Sequence, residues 1–146
     1  MSPDDFIEKI RPGADECESA EGIPAAFTIA QGALESAWGA SKLCVEANNI
    51  FGVKADKSWK GKTYTKNTKE FLNGQWVMVP ALWRAYDTWA ECLLDHANFF
   101  KVNKRYSKAL ETNDPEEFAR RVAAAGYATD PKYADKLISV MKKYVL

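Results

Sequence analysis

The sequence of 146 residues predicts an α+β protein that is mainly α, with a helical lobe and a small β-hairpin lobe flanking a cleft. Before residue 53 and after residue 86, Ala and Leu are frequent and apolar residues recur three and four positions apart, which is typical of packed helices. Between these limits, Thr, Tyr, Val and Trp predominate, and Asn73-Gly74 has the composition of a hairpin turn.

Length and composition indicate one domain that spans residues 1–146. Twenty basic residues balance twenty acidic ones, so the overall charge gives no signal for a nucleic-acid partner. No apolar run approaches the length that spans a bilayer. We therefore expect a monomer that has no nucleic-acid partner and does not insert into a membrane.

The first residues are acidic and lack the basic start and apolar core of a secretory signal. The chain as written is expected to be made in the cytoplasm and to stay there until something releases it. Cys17, Cys44 and Cys92 are odd in number and scattered, which predicts reduced, mostly buried thiols.

Three helices are predicted ahead of the hairpin lobe. Residues 3–11 follow a Ser2 cap, and Pro12-Gly13 is expected to break that helix before a second one at 14–21. The third helix, at 24–39, carries small and apolar residues on more than one face and should be largely buried. It is the helix around which the rest of the chain is organised.

Glu35 lies in the last turn of this central helix, an unusual place for an acid. The partial negative charge of a helix C-terminus and burial beside Trp38 would both favour the protonated carboxyl. A carboxylic acid that stays protonated near neutral pH is suited to act as general acid on an acetal oxygen. A solvated Glu35, or one paired with Lys42, explains the same residues equally well.

The hairpin lobe is predicted at 53–86, with strands at 62–71 and 75–83. Glu70 lies just before the turn, so carboxyl groups from two unlike lobes would face a groove, as in enzymes that hydrolyse glycosidic bonds. Six lysines outnumber two acids between residues 51 and 70, with Trp59 and Tyr64 among them. They form either a solvated hairpin face or a cleft wall that attracts an anionic polymer and stacks rings against it.

The remaining chain predicts helices at 88–100, 114–126 and 130–145. Asp95 and His96 interrupt the apolar pattern of the first and need partners if they are buried. With a single histidine and three scattered cysteines, we expect no metal site, and no phosphate-binding glycine loop or nucleophile elbow is present. Tyr127 lies in the joint between the last two helices, where packing alone would explain it.

Four segments in the same order resemble the glucosaminidases of glycoside hydrolase family 73, which include flagellar rod-cap, autolysin and phage endolysin domains. They are AQGALESAWGASKL, NNIFGVKA, TKEFLNGQWVMVPALWRAYDTWAECLLDHANFF and AGYATDPKYADKL, and the resemblance as a whole runs over about residues 23–144. The resemblance implies a lysozyme-like fold, no cofactor, and cleavage of peptidoglycan between N-acetylglucosamine and N-acetylmuramic acid. A phage endolysin or an autolysin is the expected setting, and a fragment of a longer secreted or flagellar protein fits the residues equally well.

The resemblance also implies roles for residues. Glu35 is the general acid of the LESxWG motif, Glu70 is the second acid, and Tyr127 lines the cleft beside the reacting sugar. Asp95 is expected to support the site through hydrogen bonds, and Ala37 stands where the family more often has Gly. The residues expected to bind substrate are Trp38, Asn49, Phe51, Tyr64 and Tyr86. A lytic transglycosylase and a non-catalytic glycan-binding module remain the alternatives.

Overall fold

The computed structural model describes all 146 residues, beginning with three helices and a β-hairpin. Helix α1 is Pro3–Glu21, α2 is Ala25–Ser36 and α3 is Lys42–Ala47. Strands β1 (Thr63–Leu72) and β2 (Gln75–Arg84) form a two-stranded antiparallel sheet. The predicted hairpin lobe is therefore confirmed, with strands that differ from the prediction by one residue at their ends.

The rest of the chain is helical. Helix α4 is Trp89–Val102, α5 is Pro115–Ala124 and α6 is Tyr133–Lys143, and two 3-10 turns at Lys104–Tyr106 and Ala109–Glu111 connect α4 to α5. None of the helices combines the length and the apolar character needed to cross a bilayer. The predicted fold class, α+β and mainly α, is confirmed.

Helix α1 is continuous, so the predicted break at Pro12-Gly13 is wrong. Pro12 lies inside the helix, although proline removes one backbone hydrogen bond there. The helix continues because its face opposite Pro12 is buried. Four residues of that face lie in the core, where α1 packs against α2 and α4. These residues are Phe6, Ile10, Ala14 and Cys17. Burial of this face outweighs the local penalty.

Helix α2 is the centre of the helical lobe, as predicted. Nine of its twelve residues are buried, and it packs against α1, α5 and α6. Gly32 permits the close approach of α1, because a Cβ atom there would lie 2.8 Å from Cδ1 of Ile10. The burial of α2 on most sides fixes the position of its C-terminal end.

Helix α2 ends at Ser36, three residues before the predicted end. Ala37 and Trp38 both adopt left-handed backbone conformations, with φ of 51° and 59°. The amide of Trp38 donates to the carbonyl of Ala33 at 2.9 Å, and the amide of Gly39 donates to the Ser36 hydroxyl at 2.8 Å. These bonds satisfy the helix end and turn the chain away sharply after Glu35.

The hairpin is attached to the rest of the protein mainly at its base. Its turn, Asn73-Gly74, has positive φ at both residues, as an Asn-Gly hairpin turn requires. At the base, the amide of Arg84 donates to the Val53 carbonyl, and the amide of Ala85 donates to the Lys62 carbonyl. Neither strand of the hairpin packs extensively against a helix.

The last helix begins later than predicted. Asp130-Pro131 does not open α6, because the Asp130 carboxylate accepts from the amide of Lys132 at 2.9 Å and forms a separate turn. Helix α6 starts at Tyr133, whose side chain is buried. The buried and unpaired state predicted for Cys17, Cys44 and Cys92 is observed.

Replacing Ala37 by Gly should stabilise the protein, because Gly adopts the left-handed conformation at residue 37 without steric cost. We expect the free energy of unfolding to rise by about 0.5–1 kcal/mol, the left-handed penalty less the entropy that Gly adds to the unfolded chain. Urea unfolding measures the change. Ala40→Gly, at a residue without positive φ, is the matched control and should give no gain; a loss of stability in Ala37→Gly would contradict the prediction.

Candidate active site

A cleft of about 550 Å³ opens where the end of α2 meets α4 and the segment that joins α5 to α6. Its walls combine one carboxyl group, one guanidinium group and several aromatic rings. The lining residues are Glu35, Phe51, Gly52, Val53, His96, Phe99, Arg105, Tyr106, Gly126, Tyr127, Ala128 and Thr129. The structure therefore brings together three of the predicted site residues, Glu35, Phe51 and Tyr127.

Glu35 lies in the cleft but is exposed, so the expected burial of its carboxyl beside Trp38 is wrong. The left-handed turn at residues 37 and 38 directs the indole elsewhere. Trp38 packs on Phe6 and Tyr144, with ring centroids 5.7 and 4.8 Å apart, and does not line the cleft. The cleft geometry therefore does not support the prediction that Trp38 binds substrate.

The partner of Glu35 is Tyr133, whose hydroxyl donates to Glu35 Oε1 at 2.7 Å. Behind it, Nε2 of Gln31 donates to the Tyr133 hydroxyl at 3.0 Å, and Oε1 of Gln31 lies 2.6 Å from Nε2 of His96. Burial, followed by the negative charge of Glu35, raises the pKa of Tyr133, so its hydroxyl remains a donor. These four side chains form a hydrogen-bonded chain that ends in the cleft.

The sequence did not single out Gln31 or Tyr133. One signal was available for Gln31, because it precedes Glu35 by four residues and therefore lies on the same helix face. Tyr133 is 98 residues from Glu35 in the chain, so only the fold brings them together. His96, which was expected to need a partner if buried, is buried, forms one hydrogen bond with Gln31, and also borders the cleft.

Aromatic rings form one wall of the cleft. The imidazole of His96 stacks on Phe51, with ring centroids 3.6 Å apart and planes 10° apart. Tyr127 stacks on Tyr133 at 5.7 Å and meets Phe99 edge to face at 6.1 Å. Burial raises the pKa of Tyr127, so its phenol stays neutral. A wall of rings with a few polar tips is suited to bind sugar rings.

Glu70 does not line the cleft with Glu35. It lies on β1 opposite Val77, and its carboxylate is 3.6 Å from Nζ of Lys54. Tyr64, also on β1, donates a hydrogen bond to Glu46 and likewise lies outside the cleft lining. The hairpin lobe therefore holds both predicted residues away from Glu35 in this structure.

Asn49 and Tyr86 have structural partners rather than open surfaces. The buried amide of Asn49 donates to the carbonyls of Val53 and Arg84, both at 2.9 Å, and accepts from the Val53 amide at 3.0 Å. Tyr86 is buried and donates to Asp95 at 2.6 Å. Neither lines the cleft, so the geometry does not place them where they were expected to bind substrate.

Asp95 connects the helical lobe to the base of the hairpin. Its Oδ2 accepts from Nη1 of Arg84 at 2.7 Å as well as from Tyr86, which fits the supporting hydrogen-bond role expected for it. Arg84 follows the apolar part of β2, and its guanidinium also lies over Trp59 at 4.9 Å. Removing Asp95 would leave the partly buried Arg84 without its closest anionic partner.

Arg105 is a cleft residue that the sequence did not indicate. It is exposed on the turn after α4 and borders the same space as Glu35. A guanidinium group binds carboxylates in a planar, bidentate manner. No group of three or more His, Cys, Asp or Glu side chains is positioned to hold a metal ion.

An acid at the end of a buried helix, facing a groove lined by aromatic rings, is suited to general-acid cleavage of a glycosidic bond, which is the chemistry of glycoside hydrolases. The chain belongs to the glucosaminidase family, described as mannosyl-glycoprotein endo-beta-N-acetylglucosaminidase, whose sequence model matches residues 11–146. The resemblance drawn from the four sequence segments is confirmed, as is the prediction of a glycoside hydrolase.

Relatives of known description agree with this assignment. The chain is 39% identical to the peptidoglycan hydrolase FlgJ of Vibrio parahaemolyticus over 97% of its length, and 38% identical to the exo-glucosaminidase LytG of Bacillus subtilis over 97%. It spans 47% and 51% of those two proteins, about half of their length.

Among solved structures, the truncated glycoside hydrolase domain of Salmonella typhimurium FlgJ superposes with a TM-score of 0.86 at 35% identity. The match covers 99% of this chain and 98% of that domain. The similarity therefore extends over the helical lobe and the hairpin lobe together.

The burial of His96 should make stability depend on pH. Burial lowers the pKa of His96 to about 3, below the unfolded value near 6.5, so between these values the unfolded chain binds a proton that the folded protein excludes. The stabilisation that comes from keeping His96 neutral is fully present above pH 6.5 and is lost as the pH falls towards 3. Between pH 7 and pH 5 we expect a loss of about 2 kcal/mol from this group.

Urea unfolding at the two pH values checks this expectation. The loss between pH 7 and pH 5 should be smaller by about 2 kcal/mol in His96→Asn than in the unchanged protein, because asparagine does not titrate. Equal losses in the two proteins would show that His96 is not the group responsible.

Proposed function

We propose that this chain hydrolyses the glycan strand of peptidoglycan between N-acetylglucosamine and N-acetylmuramic acid, with Glu35 as the general acid. The observation that carries the proposal is the position of Glu35, which faces the cleft while Tyr133 holds only one of its two carboxyl oxygens. The peptidoglycan hydrolases named among the relatives support the choice of substrate.

In the proposed mechanism, protonated Glu35 donates to the oxygen that leaves with N-acetylmuramic acid. Positive charge develops on the adjacent sugar carbon as the bond breaks. Tyr127, which lines the cleft near Glu35, holds the acetamido group or the incoming water. The aromatic wall formed with Phe51 keeps the sugar in place while the charge develops.

Glu70 acts from the hairpin lobe, either by deprotonating a water or by stabilising the acetamido group as it attacks. This role requires the hairpin to move towards the cleft. Support comes from the attachment of the hairpin at its base and from the exposed ion pair of Glu70 with Lys54. An exposed ion pair of this kind costs little to break.

The charge of the cleft supports a substrate that carries carboxylates. Peptidoglycan has carboxylates on its lactyl ethers and stem peptides, and Arg105 offers them a guanidinium partner beside the aromatic wall. The lysines of the hairpin lobe add attraction for the same polymer. We propose the bacterial cell wall as the place of action, in an autolysin or a phage endolysin.

Replacing Glu35 by Gln should lower the rate of cell-wall turbidity loss by at least about 100-fold, because the amide cannot donate the acid proton. The exposed position of Glu35 predicts little change in the thermal midpoint. Glu8→Gln, on the exposed surface of α1, is the matched control with unchanged rate. A Glu35→Gln variant with full activity would remove Glu35 from the proposed role.

Glu70→Gln belongs in the same series and should lose less activity than Glu35→Gln. Added azide or formate would restore part of its rate if Glu70 assists attack directly. If small anions have no effect, Glu70 stabilises charge instead.

Products of a peptidoglycan digest test the bond that is cleaved. We expect fragments that have gained one water and end in a reducing N-acetylglucosamine, detected by mass spectrometry after reduction. Anhydro-muramic ends would identify a lytic transglycosylase, and binding without products would identify a glycan-binding module. The distribution of fragment lengths separates internal cleavage from cleavage at chain ends.

A further inference from the structure

The side chains behind Glu35 determine which of its two oxygens carries the acid proton. We infer that Tyr133, Gln31 and His96 act as positioning residues that hold Oε1 of Glu35 as a hydrogen-bond acceptor and direct the acid proton to Oε2. This inference rests on the proposed role of Glu35 as general acid. It assigns a task to three side chains that the proposed mechanism leaves unused.

The direction of the first hydrogen bond follows from chemistry. An ionised carboxylate only accepts, so the Tyr133 hydroxyl donates its one hydrogen to Glu35 Oε1 across 2.7 Å. The same hydroxyl then has only lone pairs to offer Gln31. The atom of Gln31 that lies 3.0 Å away is therefore its amide nitrogen, which donates.

The orientation of Gln31 in turn fixes the state of His96. With its nitrogen directed to Tyr133, the amide presents its oxygen to Nε2 of His96 at 2.6 Å. An amide oxygen accepts only, so Nε2 of His96 carries the hydrogen. Each of the three hydrogen bonds that link Glu35, Tyr133, Gln31 and His96 thus has one permitted direction when Glu35 is ionised.

Burial makes this arrangement rigid. Gln31 and His96 are buried, and Tyr133 retains 4% of its surface exposed. The three residues come from α2, α4 and α6, so this series of hydrogen bonds is anchored in three packed helices. The His96 ring is further fixed by its stack on Phe51. Only the last member, Glu35, is exposed.

When Glu35 takes up a proton, Oε1 is already occupied as an acceptor. A proton on Oε1 would meet the hydrogen of Tyr133 unless the Tyr133 hydroxyl turned its hydrogen away from Glu35. Gln31 already donates to that hydroxyl, so the turned hydrogen would lose its acceptor in a buried place, which is costly. Placing the hydrogen on Gln31 instead would require the Gln31 amide to flip and His96 to move its hydrogen to Nδ1. Oε2 has no hydrogen-bond partner in the protein, so it carries the proton and is free to deliver it.

Other ionisable groups face the cleft and bear on the pH dependence of Glu35. Those on the surrounding elements are His96 on α4, Arg105 and Tyr106 on the turn after it, and Tyr127 before α6. Burial lowers the pKa of His96 to about 3 and raises that of Tyr127, so neither changes charge in a neutral assay range. Arg105 keeps its charge throughout.

The test compares Tyr133→Phe with the unchanged protein by turbidity loss of cell-wall suspensions across a pH series. We expect the rate near neutral pH to fall about 10- to 100-fold, the range seen when a hydrogen-bond partner that orients a metal ligand is removed, which is a comparable positioning role. The alkaline limb of the pH profile should move to higher pH, because the lost hydrogen bond favoured the ionised carboxyl. A purely structural tyrosine would not shift this limb.

Two further variants make the test decisive. Gln31→Met, which preserves length but removes the amide, should shift the limb in the same direction by a smaller amount. Tyr144→Phe, at the other end of α6 and without a hydrogen bond to Glu35, is the matched control and should leave rate and profile unchanged. Thermal unfolding confirms that each variant is folded.

An unchanged alkaline limb in folded Tyr133→Phe or Gln31→Met would overturn the inference, whether or not the rate falls. If Tyr133→Phe does not fold, Gln31→Met decides the question by the same criterion. The proposed function fails separately, because it requires Glu35→Gln to be inactive. An inactive Glu35→Gln together with a normal profile in Tyr133→Phe would reject the inference alone.

Discussion

The hydrogen bond from Tyr133 to Glu35 joins the second helix of the chain to the last one, and the geometry of the cleft depends on it. Helix α2 provides the acid and α6 provides its partner, while α5 packs on both helices. Both helices are anchored in one core, which fixes the two ends of this bond. An exposed carboxyl group thereby acquires a defined position that its own surroundings would not give it.

The two lobes differ in packing and in charge, and this difference suits their proposed tasks. The acid belongs to the helical lobe, where the main core lies, whereas Glu70 belongs to a hairpin held mainly at its base. Although the chain is neutral overall, residues 53–86 contain seven basic and two acidic side chains. The hairpin lobe is therefore a positively charged arm on an acidic body, which favours contact with an anionic polymer.

Local patterns were enough to predict the hairpin turn, the central helix and the presence of Glu35 at its end. Asn73-Gly74 requires positive φ whatever surrounds it, and the apolar spacing of α2 does not depend on its neighbours. The continuity of α1 through Pro12 could not be predicted in the same way. It depends on burial against α2 and α4, which a local reading of Pro-Gly leaves out.

The chemistry of the site was only partly accessible from the sequence. A motif locates Glu35 and Tyr127, and both lie in the cleft. The burial expected for Glu35 failed because two left-handed residues after Ser36 direct Trp38 into a different cluster. The hydrogen bonds among Gln31, Tyr133 and His96 join residues 65 to 102 positions apart. Contacts between residues so far apart in the sequence produce no periodic pattern that a single sequence could reveal.

Gly13 lies where α1 packs against α4, the helix that contributes His96 and Phe99 to the cleft wall. A Cβ atom there would lie 2.4 Å from Cδ1 of Leu93, a buried side chain on α4 three residues before His96. A larger residue at 13 would displace the Leu93 side chain, which is packed on the same helix as His96 and Phe99. The packing of α1 on α4 therefore sets a steric limit directly behind a helix that forms part of the cleft wall.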